Sequence, residues 1–226
     1  PNPMPRRAVL SDEQRMALLA LPDDETTLVQ HWTLSEDDLA IIVRRRRPHN
    51  RLGFAIQLCA LRYPGRLLRP GELIPDTPLA FVAEQLQIAP EVLADYATRG
   101  PTRYEQLDAL REGFGFTQFS RPLRAALQEW LLPIALTTTS GAGLARSLLG
   151  ECRRRRIIVP GISSVERMVA QALLDAERHV AEHLTRGLET GQRRLLDALL
   201  LPHAGTNLSG LGWVRQPPGK PGRKTF

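Results

Sequence analysis

Four consecutive arginines, Arg44 to Arg47, run into Pro48, His49, Asn50 and Arg51, and a second run fills Arg153, Arg154, Arg155 and Arg156. A guanidinium stays charged at any ordinary pH, and its planar fork matches phosphate oxygens, so such clusters suit gripping a polyanion. The same residues have other uses. Cations at a helix C-terminus are favoured by its dipole without any ligand, and a basic run is by composition also a nuclear-import signal. Helical geometry limits what the first run can do. At 3.6 residues per turn, four successive positions fan around most of a helix, so they cannot all face one partner. Arg44, Arg45 and Arg47 therefore suit backbone gripping or helix capping, and His49, Asn50 and Arg51 stand at the start of the next helix.

A second constellation lies at "PEVLADYATRGPTRYEQLDALRE", residues 90–112. Gly100 offers a left-handed C-cap to one helix, Pro101 forces the turn, and Thr102 with Glu105 forms a capping box for the next. Arg99, Thr102 and Arg103 then cluster at a helix N-terminus, where DNA-reading helices place phosphate and base contacts, with Gln106 one turn on. An ordinary helical hairpin explains the same residues. Gln57 reads equally as a satisfied core amide or as a reader. "HVAEH", residues 179–183, matches the H-x-x-E-H zinc-peptidase pattern, but only Glu189 and Asp197 follow it as a third ligand. The match reads as chance within an amphipathic helix. With no nucleophile motif, phosphate-binding glycine loop or Cys/His finger spacing, neither a catalytic residue nor a metal ligand is assigned, and no cofactor is expected in this segment.

The elements that must position these residues are helical. Ser11 with Gln14, Ser35 with Asp38, and Ser163 with Glu166 have capping-box spacing, and apolar residues recur at the helical period, as in Leu123, Leu127, Trp130, Leu131 and Ile134. The segment from about Asn50 to Tyr63 is apolar on every side, which marks a buried helix. Further helices are expected over about 78–88, 90–97, 102–112, 122–136, 142–156, from the Ser163 box to about Leu188, and 191–201. "RIIVP" at 156–160 reads as a short strand or extended connector. The fold class is all-α. Two consecutive helix-turn-helix-like modules, 1–115 and 116–202, are expected, the second with a long helix striped by Val165, Val169, Ala172, Ala176, Val180 and Leu184. The Pro/Gly/basic tail over 203–226 is expected to be disordered.

The net charge of +6 is unevenly spread. The tail from Trp213 supplies four basic residues and no acid, which leaves 26 basic against 24 acidic residues; without the two arginine runs the balance is 18 against 24. Positive charge gathered into two clusters and a tail is how a polyanion-binding face looks. Cys59 and Cys152 sit in apolar helical patterns and read as reduced core residues of a cytoplasmic protein. Arg6 and Arg7 precede too short an apolar run for an export signal. The longest uncharged run, Trp130 to Ala145, is too broken to span a bilayer. A first residue of Pro1 fits a fragment of a longer chain.

In order along the chain, "LSEDDLAIIVRRRRPHNRLGFAIQLCALRYPGR", "AEQLQIAPEVLADYATRGPTRYEQLDALREGFGF" and "RRRRIIVPGISSVERMVAQALLDAERHVAEHL" resemble the N-terminal region of the Tn-three family transposases of class II replicative transposons. The likeness runs from about Leu10 to Pro218. It implies double-stranded DNA as partner, bound at the transposon's terminal inverted repeats, a bacterial nucleoid setting, and self-association as part of a full-length transposase dimer. It also implies that cleavage and strand transfer belong to an acidic-triad, magnesium-using domain outside this segment. The DNA-binding candidates it carries over are Arg44 and Arg47 through Arg51, Arg99 to Arg103, and Arg153–Arg156. A stand-alone helical regulator derived from such a transposase, or a helical protein-interaction module with no DNA role, remain the alternatives.

Overall fold

The computed structural model describes residues 9–96, 100–203, 205 and 207–215, with the backbone alone at 100–104, 106 and 107. It is all-α. The helices are α1 (Asp12–Leu18), α2 (Glu25–Trp32), α3 (Glu36–Ile42), α4 (Pro48–Arg62), α5 (Asp76–Leu86), α6 (Gly100–Phe114), α7 (Arg121–Ala135), α8 (Gly141–Arg154), α9 (Ile162–Thr185), α10 (Thr190–Ala198) and α11 (Gly210–Val214). Two compact units divide the chain after Ala176.

In the first unit, α4 is the central element, with every side chain from Leu52 to Leu61 buried. Pro48 stands at its first helical position, two residues earlier than expected: the fixed φ of proline suits that site, and the missing N–H is one the helix leaves unpaired anyway. Around α4 pack Leu28 and Trp32 of α2, Ile42 of α3, Val82 and Ala83 of α5, and Leu110 of α6. Gln57 is a core amide, accepting from the Leu68 backbone N–H at 3.2 Å. A second cluster joins Leu127 and Leu131 of α7, Leu144, Leu148 and Leu149 of α8, and Val165, Met168, Val169 and Ala172 of α9. Leu10, Leu18 and Leu19, at the two ends of α1, belong to this second cluster.

The two clusters are tied by backbone. "RIIVP" is an extended connector: Thr117 donates to the Arg156 carbonyl at 2.8 Å and accepts from Ile158 at 2.9 Å, and Val159 donates to Gly65 at 2.8 Å. Gly65 takes φ +104°, and a Cβ there would crowd Arg153 and Val159 at 3.0 Å, so glycine is needed for both reasons.

Several local expectations change. Residues 90–95 form a 3-10 helix with no buried residue. Gly100 opens α6 instead of capping a preceding helix, so Thr102 lies inside the first turn and not before it. Likewise α9 starts at Ile162, which places Ser163 within the helix, and the Glu166 carboxylate turns to Arg15 at 3.2 Å. On α9 the stripe from Val165 to Ala176 is buried, but Val180 and Leu184 are exposed. The Ser209 hydroxyl caps α11, so part of the segment expected to be disordered is helical; residues 216–226 lie outside the described residues.

Candidate nucleic-acid interface

Arg44 to Arg47 form the tight connection between α3 and α4. Val43 ends α3 by donating back to Leu39, and Arg45 donates to Ile42 at 3.0 Å. The Arg51 guanidinium holds the connection from the α4 side. Its Nε donates to the Arg45 carbonyl at 2.7 Å and its Nη2 to that of Val43 at 3.4 Å, meeting the carbonyls a helix end leaves unpaired. Arg45 lies over the Phe54 ring, 4.4 Å from its centroid, and its Nε is buried without an acceptor. Arg45 and Arg51 are thus packed into the turn they were expected to project from.

Arg44, Arg46 and Arg47 are exposed, and among the described residues their side chains have no hydrogen bond or ion pair, although the Arg47 carbonyl accepts from Asn50 and Arg51 at 3.0 and 3.1 Å. Three like charges in four residues beside an α4 N-terminus that lacks a side-chain cap make a concentrated positive edge. His49 and Asn50 follow in the first turn of α4, half-buried. Arg46 was not among the candidates. Its signal was Phe54: an aromatic ring nine residues after Arg45 is what draws that side chain, and not its neighbour, inward.

The second run is placed differently. Arg154 donates to both carboxylate oxygens of Glu151 at 2.7 Å, and Arg155 adds a bond of 2.6 Å to one of them. Hydrogen bonds from Arg154, then Arg155, hold the Glu151 carboxyl down to about 2, although burial acts to raise it. Arg153 lies 4.9 Å from the Tyr63 ring centroid and donates to the Pro64 carbonyl at 3.3 Å. Burial lowers the affinity of its guanidinium for the proton. Tyr63 in turn stacks on His31 with centroids 4.9 Å apart. Arg156 donates to the Phe114 carbonyl at 2.9 Å. Arg153 and Arg156 therefore serve the join between the two clusters, whereas Arg154 and Arg155 are tied to Glu151 at the end of α8, and Arg154 keeps 69% of its side chain in solvent.

A buried ion pair escaped the sequence reading. Asp38 caps α3 through Ser35, as its spacing indicates, but it also receives Arg62 of α4 on both oxygens, at 2.9 and 2.6 Å. Burial would raise this carboxyl; the hydrogen bonds from Arg62 and Ser35 outweigh it and keep it below the usual range.

Of the remaining candidates, Thr102, Arg103 and Gln106 fall on α6 with side chains outside the description, and Arg99 lies outside the described residues altogether. His179, Glu182 and His183 are exposed on α9, and among the described residues no three His, Cys, Asp or Glu side chains gather closely enough to hold a metal ion. Burial pushes the thiols of Cys59 and Cys152 up to about 12 and about 11, and both are free. No helix among the described residues is long and apolar enough to cross a membrane.

Comparison with known proteins gives this arrangement a context. Over 96% of its length the chain is 41% identical to the transposase for transposon Tn21 of Escherichia coli and 38% identical to that for Tn501 of Pseudomonas aeruginosa. Over 97% it is 33% identical to the transposase for Tn1546 of Enterococcus faecium. It spans 22% of the length of each of these relatives. Residues 9–172 match the family described as Domain of unknown function (DUF4158), and the chain belongs to that family.

Proposed function

We propose that the chain binds duplex DNA at the terminal inverted repeats of a transposon, as the end-recognising part of a replicative transposase acting on bacterial chromosomal and plasmid DNA. The observation that carries this reading is the turn of Arg44, Arg46 and Arg47, exposed and with no side-chain partner among the described residues, in a chain similar to transposases over nearly its whole length. A surface that leaves three adjacent guanidiniums uncompensated is suited to phosphates, which fix position and supply affinity without reading sequence. The base-reading role falls to the first turns of α6, where Thr102, Arg103 and Gln106 lie. Arg154 is a weaker phosphate candidate, because Glu151 already offsets its charge. Strand cleavage and transfer, with magnesium, are assigned to a part of the relatives that this chain does not span, and no carboxylate here takes that role.

Binding of the chain to an inverted-repeat duplex and to a scrambled duplex of equal length, followed across a salt series, tests the reading. The expected result is a preference for the repeat and a steep loss of affinity with salt for both. Weak and equal binding to the two duplexes would remove end recognition from this chain.

A further inference from the structure

At the join between the two clusters lies a cavity of about 220 Å³, lined by Leu61, Arg62, Phe114, Phe116, Arg153 and Arg156. Three of its six lining residues are arginines and two are phenylalanines, and none is acidic. The charges around it do not balance. Asp38 offsets Arg62 by accepting from both of its outer nitrogens. Arg153 and Arg156 each give one N–H to a carbonyl, of Pro64 and Phe114, and neither has a carboxylate among the described residues. A carbonyl accepts a hydrogen bond but cancels no charge. Arg153 is half-buried, and burial penalises its cation. After burial, that charge is also what lowers the proton affinity of His31. A cation withdrawn from water without a counter-ion is costly, so this cavity calls for an anion.

The backbone gives a second sign. Arg156 takes φ +53° just past the end of α8. Its N–H donates to the Arg153 carbonyl at 3.0 Å, and that of Ile157 to the Cys152 carbonyl at 2.8 Å. This bonding pattern is the helix stop in which glycine usually supplies the left-handed residue. An arginine held there is disfavoured, and residues kept in such conformations cluster at ligand sites. Charge, size and rings then select the ligand. A phosphate monoester carries a charge of about −1.5 to −2 near neutrality, which matches two open guanidiniums whose forks fit its oxygens. Aromatic rings beside them suit a nucleobase, because stacking accepts any base. We propose that this cavity binds a nucleoside monophosphate, its phosphate between Arg153 and Arg156 and its base against Phe114 and Phe116. A free mononucleotide and a phosphorylated, unpaired nucleotide at a strand end present the same chemistry. The proposal does not rest on inverted-repeat recognition.

Isothermal titration calorimetry of the 226-residue chain with adenosine monophosphate and, separately, with inorganic phosphate tests it. The expected result is one saturable site for the nucleotide, with a dissociation constant below about 1 mM. Inorganic phosphate, which lacks the base, should bind at least about fivefold more weakly. Arg156→Gly installs the residue that the left-handed backbone favours, so it folds, and it should weaken the nucleotide at least about tenfold. Phe116→Leu should weaken the nucleotide about fivefold and leave inorganic phosphate unchanged, a split that lost folding does not produce. Two competitors separate the sources: a duplex ending in one phosphorylated, unpaired nucleotide, and a blunt duplex. Displacement of adenosine monophosphate by the first alone assigns the ligand to a strand end, and displacement by neither assigns it to the free nucleotide. The proposal is overturned by the absence of a saturable site, or by equal affinity for nucleotide and inorganic phosphate. Full nucleotide binding by folded Arg156→Gly, or displacement by the blunt duplex as well, would also overturn it.

Discussion

A guanidinium that already holds acceptors has little left to offer a phosphate on an open duplex backbone, and this divides the arginines more sharply than their positions do. Arg154 and Arg155 share Glu151, Arg153 and Arg156 are given to carbonyls of the first cluster, and Arg51 closes the end of α3. Arg44, Arg46 and Arg47 remain open. Replacing Arg46 or Arg47 with alanine should therefore weaken all duplexes alike with unchanged thermal stability, because no described contact is lost. Glu151→Gln should do the opposite, lowering the melting temperature by removing a charge on which two arginines converge while leaving the salt dependence of binding intact. Parallel thermal melts and titrations of the variants decide between these outcomes. The runs themselves were plain in the sequence. Which arginines were free was not, because the partners are backbone carbonyls and a ring reached only through the tertiary fold, such as Phe114 for Arg156 and Pro64 for Arg153.

At the scale of elements, the core helix and α6 were legible as helices, and the way α6 begins was not. An apolar residue on every side of 52–61 leaves no face for solvent, and α4 is buried throughout that span. The capping boxes at Ser11 and Ser35 form as their spacing indicates. The one at Ser163 does not, because Gly161-Ile162 lets α9 begin earlier and Arg15 competes for Glu166. Residues 90–95 were misjudged in a similar way: Pro90 and the short apolar spacing support only a 3-10 turn against α4. That turn brings Tyr96 onto Gly53 of α4, where a Cβ would overlap the ring. Gly53→Ala should consequently destabilise the first unit by about 1–3 kcal/mol through overpacking, despite the better helix propensity of alanine. Chemical denaturation measures this; a stabilised Gly53→Ala would show that the Tyr96 contact is not tight.

For the molecule as a whole, carboxylates held by arginines shape the response to acid, Asp38 and Glu151 among them. Asp38 and Glu151 are both held below their usual range by arginines, so their contribution to stability is fully present near neutrality and is lost as pH falls. For Glu151 the window runs from about 4.5 down to about 2. The midpoint of thermal unfolding should drop through this window, and less steeply in Glu151→Gln, which has no proton to take up there. The Asp38–Arg62 pair knits α3 to α4 and Glu151 holds Arg154 and Arg155 at the end of α8, while the α3–α4 turn presents three arginines whose side chains have no partner among the described residues. The most direct measurement is the slope of log binding constant against log salt for the chain and for its Arg44→Ala/Arg46→Ala/Arg47→Ala variant on one duplex. If all three contact phosphate, the slope becomes shallower by about 2.7. An unchanged slope in a variant that folds normally would contradict the account.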